Sequence, residues 1–294
     1  MGLKSFFKYL RLKILVTLIR LGIKLKPKRK ITVDKVLQIP SRDAKRTIKA
    51  HVYQSQSPSP TPVLVNFHGS GFCLPLHGSD NVFCQEVRDQ TNYTVIDVQY
   101  RLAPENPFPA ALNDVEDAVK WVLEQPEAFK RDNVAISGFS AGGTLALATA
   151  SSVFPKDTFR SLLTFYSPTN LAMMPEGKAA PDPTGTPLPA RLCNIFEDSY
   201  IPEGFDKRDP RISPLFAPPD NFPRNVMIVT CAQDSLAHEA EELAKKIENE
   251  PGHFVLRRRY DGVGHGWDKK AEEGTPGGES VEMAHALALD LLRR

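Results

Sequence analysis

From Val33 onward, two apolar periods alternate along the chain. V-L-Q-I (36–39) and T-I-K-A-H-V-Y-Q (47–54) switch between apolar and polar residues, as half-buried strands do. Residues 55–62, S-Q-S-P-S-P-T-P, make a turn by composition. V-L-V-N-F (63–67) is then apolar throughout, as expected of a strand covered on both faces. Helix-period segments follow at 79–92, 113–125 (with Val115, Ala118, Val119 and Val122 on one face), 141–151, 237–248 and 280–292. Between them lie strand-like runs at 93–98, 134–137, 162–166, 226–230 and 254–260. Strand and helix in near-regular turn predict an α/β fold, a mostly parallel central sheet with helices on both faces.

Two segments break the rhythm. Residues 167–222 are rich in Pro and Gly and show little periodicity outside 191–196. An irregular stretch of that length inside a compact domain is expected to be a functional insertion, here a cap over the C-terminal edge of the sheet. The first thirty residues are apolar but repeatedly interrupted by Lys and Arg. Their longest uncharged run within the apolar stretch, Ile14 to Ile19, is far too short to span a bilayer. Lys13 and Arg20 crowd what would be the core of a signal peptide, so secretion is the less expected fate. On a helical wheel Lys4, Lys8 and Arg11 share a face, whereas Arg20 and Lys24 fall near the opposite one, so the polar face shifts midway. Two readings stay open: an interfacial helix giving peripheral membrane association through residues 1–28, or a structural helix covering an apolar opening in the body. The domain reading is therefore an N-terminal segment 1–30 and an α/β domain 31–294, in a protein expected in the cytoplasm or peripheral on an intracellular membrane.

Charge sharpens this division. The 294 residues carry 37 Lys and Arg against 35 Asp and Glu. Ten of the basic residues and none of the acidic ones lie in residues 1–30, so the body has 27 against 35, a net −8. Such a body is not a nucleic-acid binder. Cys73, Cys84, Cys193 and Cys231 fit neither a zinc pattern nor a CxxC redox site and are read as free thiols. Asn92-Tyr-Thr94 fits a glycosylation sequon but stands alone as a sign of secretion.

The chemistry begins at G-F-S-A-G-G (138–143). It matches G-x-S-x-G, and V-A-I-S before it and T-L-A-L-A-T-A after it supply the strand and helix that such a nucleophile elbow requires. A serine hydroxyl needs a base, and the base needs an orienting group. Asp234, in V-M-I-V-T-C-A-Q-D-S-L, and His265, in Y-D-G-V-G-H-G-W, each follow a predicted strand, and they come in the chain order Ser, acid, His. Ser140 is thus the candidate nucleophile, His265 the base and Asp234 its partner. Asp261 is expected to be solvated, and His238, His253 and His285 to lie at the surface. His51 and His77 lack catalytic context, and Asp268 is expected to meet solvent or the cap. The Gly-rich loop N-F-H-G-S-G-F after the strand at 63–67 offers the backbone N–H groups of Gly69 and Ser70 as oxyanion donors, with Ala141 as a third. His68 is expected to hold this loop by a side-chain hydrogen bond. Phe72, Leu74, Phe139, Trp267, Phe196 and Tyr200 are the aromatic and apolar candidates for a substrate pocket, although any one of them could equally be core. This chemistry requires no metal and no cofactor.

Taken together, H-G-S-G-F (68–72), Y-R-L-A-P-E-N-P-F-P-A-A-L (100–112), G-F-S-A-G-G (138–143), D-P-R-I-S-P-L (209–215), Q-D-S-L (233–236) and G-H-G-W (264–267) resemble the hormone-sensitive-lipase-like branch of the α/β-hydrolases. These are carboxylesterases and lipases. The likeness spans roughly residues 60–292. It implies the same Ser140, Asp234 and His265, the same donors, and a cap built from N-terminal helices plus an insertion. It implies hydrolysis of a small to medium apolar ester through an acyl-enzyme. A non-catalytic ligand-binding member of the fold, an acyl transferase or an amide hydrolase are the alternatives. Three positions depart from the family pattern: Ser70 replaces a glycine, Phe139 an acidic residue and Gln99 an aspartate. Phe139 is expected to dry the approach to the nucleophile. Ser70 is expected either to brace its loop by a hydrogen bond or to narrow the site.

Overall fold

The structure is a computed structural model that describes residues 2–25 and 31–294. Met1 and residues 26–30, part of the N-terminal segment singled out above, lie outside the described residues. The order of elements is α1 (Leu3–Lys24), β1 (Lys35–Pro40), β2 (Thr47–Tyr53), β3 (Thr61–Phe67), α2 (Asn81–Gln90), β4 (Thr94–Val98), α3 (Ala110–Leu123) and β5 (Phe129–Phe139). It continues with α4 (Ala141–Ser152), β6 (Ser161–Phe165), α5 (Ala190–Tyr200), β7 (Asn225–Cys231), α6 (Ala237–Glu248), β8 (Phe254–Tyr260) and α7 (Pro276–Arg293).

The strands form one eight-stranded sheet in the order β1-β2-β4-β3-β5-β6-β7-β8. β1–β2 and β2–β4 pair antiparallel, and every other neighbour is parallel. β3 and β6 are buried at every position because helices cover both faces of the sheet. On one face α3, α4 and α6 contribute Val115, Val119, Leu145, Leu243 and Ile247 to a core with Val63, Val65, Ile136 and Leu162. On the other face α2 and α7 bring Phe83, Val87, Ala288 and Leu292 against Leu64, Phe139, Phe165 and Met227.

Helix and strand bounds differ from the sequence expectation where local chemistry overrides period. α7 starts at Pro276 rather than at 280, because the Thr275 hydroxyl accepts the N–H of Gly278 at 3.1 Å and Pro276 occupies the first turn. β5 starts at Phe129, ahead of its apolar part, through exposed Lys130–Asp132 that lead into the sheet. Residues 167–222 contain α5 and three short 3₁₀ turns. α5 packs against α1, in which Val16 is fully buried.

Candidate active site

The nucleophile candidate owes its position to the β5–α4 turn. Ser140 has φ 50° and ψ −125°, a conformation a non-glycine residue adopts only under tertiary constraint. The constraint is visible in the neighbouring glycines. A Cβ on Gly142 would sit 2.0 Å from the Phe67 carbonyl oxygen, and one on Gly138 would sit 2.3 Å from the backbone of Gly142. Only bare backbone lets β5, α4 and the end of β3 approach this closely. The turn is tied down by Ser140 N–H donating to Phe165 O at 2.8 Å.

β7 and β8 deliver the other two groups. Ser140 Oγ lies 2.8 Å from His265 Nε2, and His265 Nδ1 lies 2.7 Å from Asp234 Oδ2. Asp234 is almost fully buried, and its second oxygen accepts the N–H of Leu236 at 3.1 Å. The three residues, 125 and 31 positions apart in sequence, form one unbroken hydrogen-bonded line.

The loop after β3 lies across the same point. A Cβ built on Gly69 would be 3.4 Å from Ser140 Cβ. Among the described residues, the N–H groups of Gly69, Ser70 and Ala141 donate to no protein acceptor. The loop is held from behind by the Y-R-L-A-P segment. Tyr100 OH donates to His68 O at 2.6 Å and meets Ser70 Oγ at 2.7 Å, and Ala103 N–H donates to Phe72 O at 2.9 Å. Arg101 is in turn anchored on buried Asp114. Ser70 is therefore a brace, the first of its two expected roles. Next to it Gly71 has φ 53° and faces the Phe196 ring at 2.4 Å from its missing Cβ, so a side chain is excluded there and not at position 70. His68 stacks on Tyr100 at 4.4 Å, and its Nδ1 meets Gly69 O at 3.2 Å. Burial pushes its imidazole down to about 4, so it is a neutral packing group at ordinary pH.

This brace is testable. Ser70→Ala removes one buried hydroxyl pair while keeping the N–H, so melting temperature should fall by an amount equivalent to about 1 kcal/mol. Ester turnover should stay within a few-fold of the parent. A melting temperature unchanged in a scanning calorimeter would contradict the brace.

Several expectations need correction. Phe139 does not dry the approach to Ser140. It is fully buried on the α2/α7 side, stacked on Phe165 at 4.3 Å and edge-on to Phe83, because successive residues of a strand point to opposite faces. Trp267 is also a packing residue, wedged between Tyr166 and Tyr260. Phe72 stacks face to face on Tyr200 of α5 at 3.8 Å and joins the loop to that helix. His285 is not at the surface: it is buried, with Nδ1 2.7 Å from Glu86 Oε2. His253 is half-buried on Phe222 O, whereas His238 and Asp261 are exposed. The side chain of Asp268 is mostly buried: it accepts from Tyr166 OH at 2.7 Å and pairs with Lys269.

That last contact belongs to a support that sequence reasoning missed. Lys269 Nζ bridges Asp268 at 2.7 Å and buried Asp80 at 2.6 Å, linking the His265 loop to the loop after β3. Burial pushes the Asp80 carboxyl up. Burial alone would push the Lys269 ammonium down, but Asp268 and Asp80 outweigh it and hold it above its usual range. Tyr166, with φ 41°, sets its ring edge-on to His265 at 4.8 Å. No local pattern connects positions 80, 166 and 269.

His51, His77 and Asp97 also converge, with candidate ligand atoms within 4.8 Å of one another. The two imidazoles stack at 4.0 Å with only 28° between their planes. Their in-plane lone pairs run side by side rather than meeting at one point, which is poor geometry for a chelate. His77 Nε2 instead meets Asp97 O at 3.0 Å.

A half-buried serine on a strand–helix turn, hydrogen-bonded in line to a histidine and an aspartate that follow later strands of this sheet order, is the arrangement of a hydrolase-type α/β architecture. The chain belongs to the alpha/beta hydrolase fold family, whose model matches residues 64–269. It is 30% identical over 215 residues to an AB hydrolase superfamily protein of Schizosaccharomyces pombe, covering 69% of this chain and 62% of that protein. It is 28% identical over 238 residues to an ethyl acetate hydrolase of Pseudomonas putida, covering 78% and 74%. Among solved structures, EstE1, a thermostable carboxylesterase cloned from a metagenomic library, superposes with a TM-score of 0.79 at 25% identity, covering 96% of this chain and 97% of that one.

Proposed function

We propose that this protein is a serine hydrolase that cleaves a carboxylic ester of small to medium apolar character through an acyl-enzyme on Ser140. The observation that carries the reading is the unbroken line from Ser140 Oγ through His265 to Asp234. Ser140 Oγ attacks the ester carbonyl carbon as its proton passes to His265 Nε2. Asp234 holds the imidazole with Nδ1–H toward itself and stabilises the imidazolium that forms. The carbonyl oxygen becomes an oxyanion and takes hydrogen bonds from the N–H groups of Gly69, Ser70 and Ala141. Collapse breaks the C–O bond, and the leaving alcohol takes the proton from His265. Water then repeats the sequence, releasing the acid and restoring Ser140.

Crowding beside the donor loop favours a short acyl group. Phe196 presses on Gly71, and the Phe72–Tyr200 stack closes one side. Residues 167–222 reach down to the acid's loop, where Asp182 N–H donates to Ala232 O at 2.7 Å and Gln233 Nε2 to Asp182 at 2.9 Å. This supports their reading as a cap.

The test is a series of p-nitrophenyl esters, with and without ethanol as acceptor. Acetate and butyrate should turn over faster than decanoate, and free acid should be the main product. Predominant ethyl ester would make the protein a transferase, and no turnover of any ester would overturn the reading.

A further inference from the structure

α1 carries a second surface that the hydrolytic site does not use. Its inner face, with Leu12 and Val16 buried and Tyr9, Ile19 and Ile23 half-buried, faces the body. It is locked there by Arg20, which donates to Cys73 O and Ala103 O at 2.8 Å each and forms a two-pronged pair with Glu105. Lys8 pairs with Asp198 and Glu203 on the same side. On the opposite side Leu3, Phe7, Leu10, Ile14, Leu18, Leu21 and Leu25 follow one another at steps of four, three, four, four, three and four. This spacing puts all seven on one face of a helix. They are 41–87% exposed, an apolar stripe along a helix of 22 residues, or about 33 Å. Two opposed apolar faces cancel when hydrophobicity is summed as a vector, which is why the sequence shows no clean polar face.

Charge selects the occupant. Lys4 and Arg11 flank the stripe on one edge, Lys13 and Lys24 on the other, and none of the four has a carboxylate partner among the described residues. α1 contains no acidic residue. A second copy of α1 laid on this stripe would therefore set like charges against each other, where a paired coiled coil has opposite ones. An anionic lipid surface complements both the stripe and its cationic edges. At the C-terminal end of the stripe, Leu21 and Lys24 border a groove of about 630 Å³ that also holds Lys49, whereas Arg46 and Arg101 in its wall are already paired with Asp114. The net −8 of residues 31–294 repels the rest of the molecule from such a surface and orients α1 toward it. No described helix is long and apolar enough to cross a membrane, and the inner face of α1 is already committed to the body.

We propose that α1 is a bifacial helix: its inner face closes the hydrolase body, and its outer face lies in the headgroup layer of an anionic bilayer, parallel to the membrane. Flotation of the full chain with phosphatidylcholine vesicles, with and without phosphatidylserine, tests it. The parent should float with phosphatidylserine vesicles, more weakly with phosphatidylcholine alone, and less as salt rises. Phe7→Ser/Ile14→Ser/Leu18→Ser should weaken partitioning on the order of a hundredfold and leave hydrolysis of a soluble p-nitrophenyl ester unchanged. Should that variant lose activity and so report misfolding, Lys4→Gln/Arg11→Gln/Lys13→Gln decides, with an expected loss confined to phosphatidylserine vesicles. Absence of flotation by the parent, or equal flotation with both vesicle types, would overturn the proposal. So would a dimer that the serine variant converts to monomer in the absence of vesicle binding.

Discussion

Ser140→Ala should lower the turnover of p-nitrophenyl butyrate by ~10⁴- to 10⁶-fold while the protein stays folded. The size of the effect follows from what the substitution removes. His265 and Asp234 keep their 2.7 Å contact, and the donors of Gly69, Ser70 and Ala141 stay in place. Without Oγ no acyl-enzyme forms, and the residual rate is that of water in a preorganised site. The folded state is preserved, because Ala is smaller than Ser and the position already tolerates a Cβ at φ 50°. Melting temperature should stay level or rise slightly, since a strained functional site is seldom the stability optimum. Activity within tenfold of the parent would remove Ser140 from the mechanism.

Asp234→Asn should cost ~10⁴-fold in kcat. Asp234 is almost fully buried and accepts from His265 Nδ1. An amide at this position can present its NH₂ group to the ring, which stabilises the tautomer with the proton on Nε2. That tautomer cannot take the Ser140 proton. The imidazolium formed during attack also loses its counter-charge. KM should change little, because Asp234 is almost fully buried and contacts His265, so the loss should appear in kcat. A loss confined to KM would point to a binding role for Asp234 instead.

Much of the sheet was legible because its signals are local. The helix at 237–248 and the strand at 254–260 appear with their expected bounds, the first carried by Ala240, Leu243, Ala244 and Ile247 at helical spacing. α7 begins before its apolar period does, because Gly277 and Gly278 hide its first turn, which a Thr275 cap and Pro276 stabilise. The candidate elbow, acid and base lie in short motifs after strands, so the order of the chain is enough to nominate them. The loop's bracing was only half legible: Ser70 was visible as an interruption, but its partner Tyr100 is thirty residues away. Asp80–Lys269 and Tyr166 are tertiary contacts with no local spacing to betray them. Phe139 points to the α2/α7 side, a direction that strand alternation itself predicts. α1 was ambiguous because its two apolar faces average out, and only the burial of Leu12 and Val16 separates them.

The most direct measurement is the site of covalent capture by a fluorophosphonate, read by peptide mass spectrometry. One adduct per chain is expected, on the peptide carrying Ser140, with ester hydrolysis lost in step with labelling. Hydrolysis that persists without an adduct, or an adduct on another residue, would contradict it.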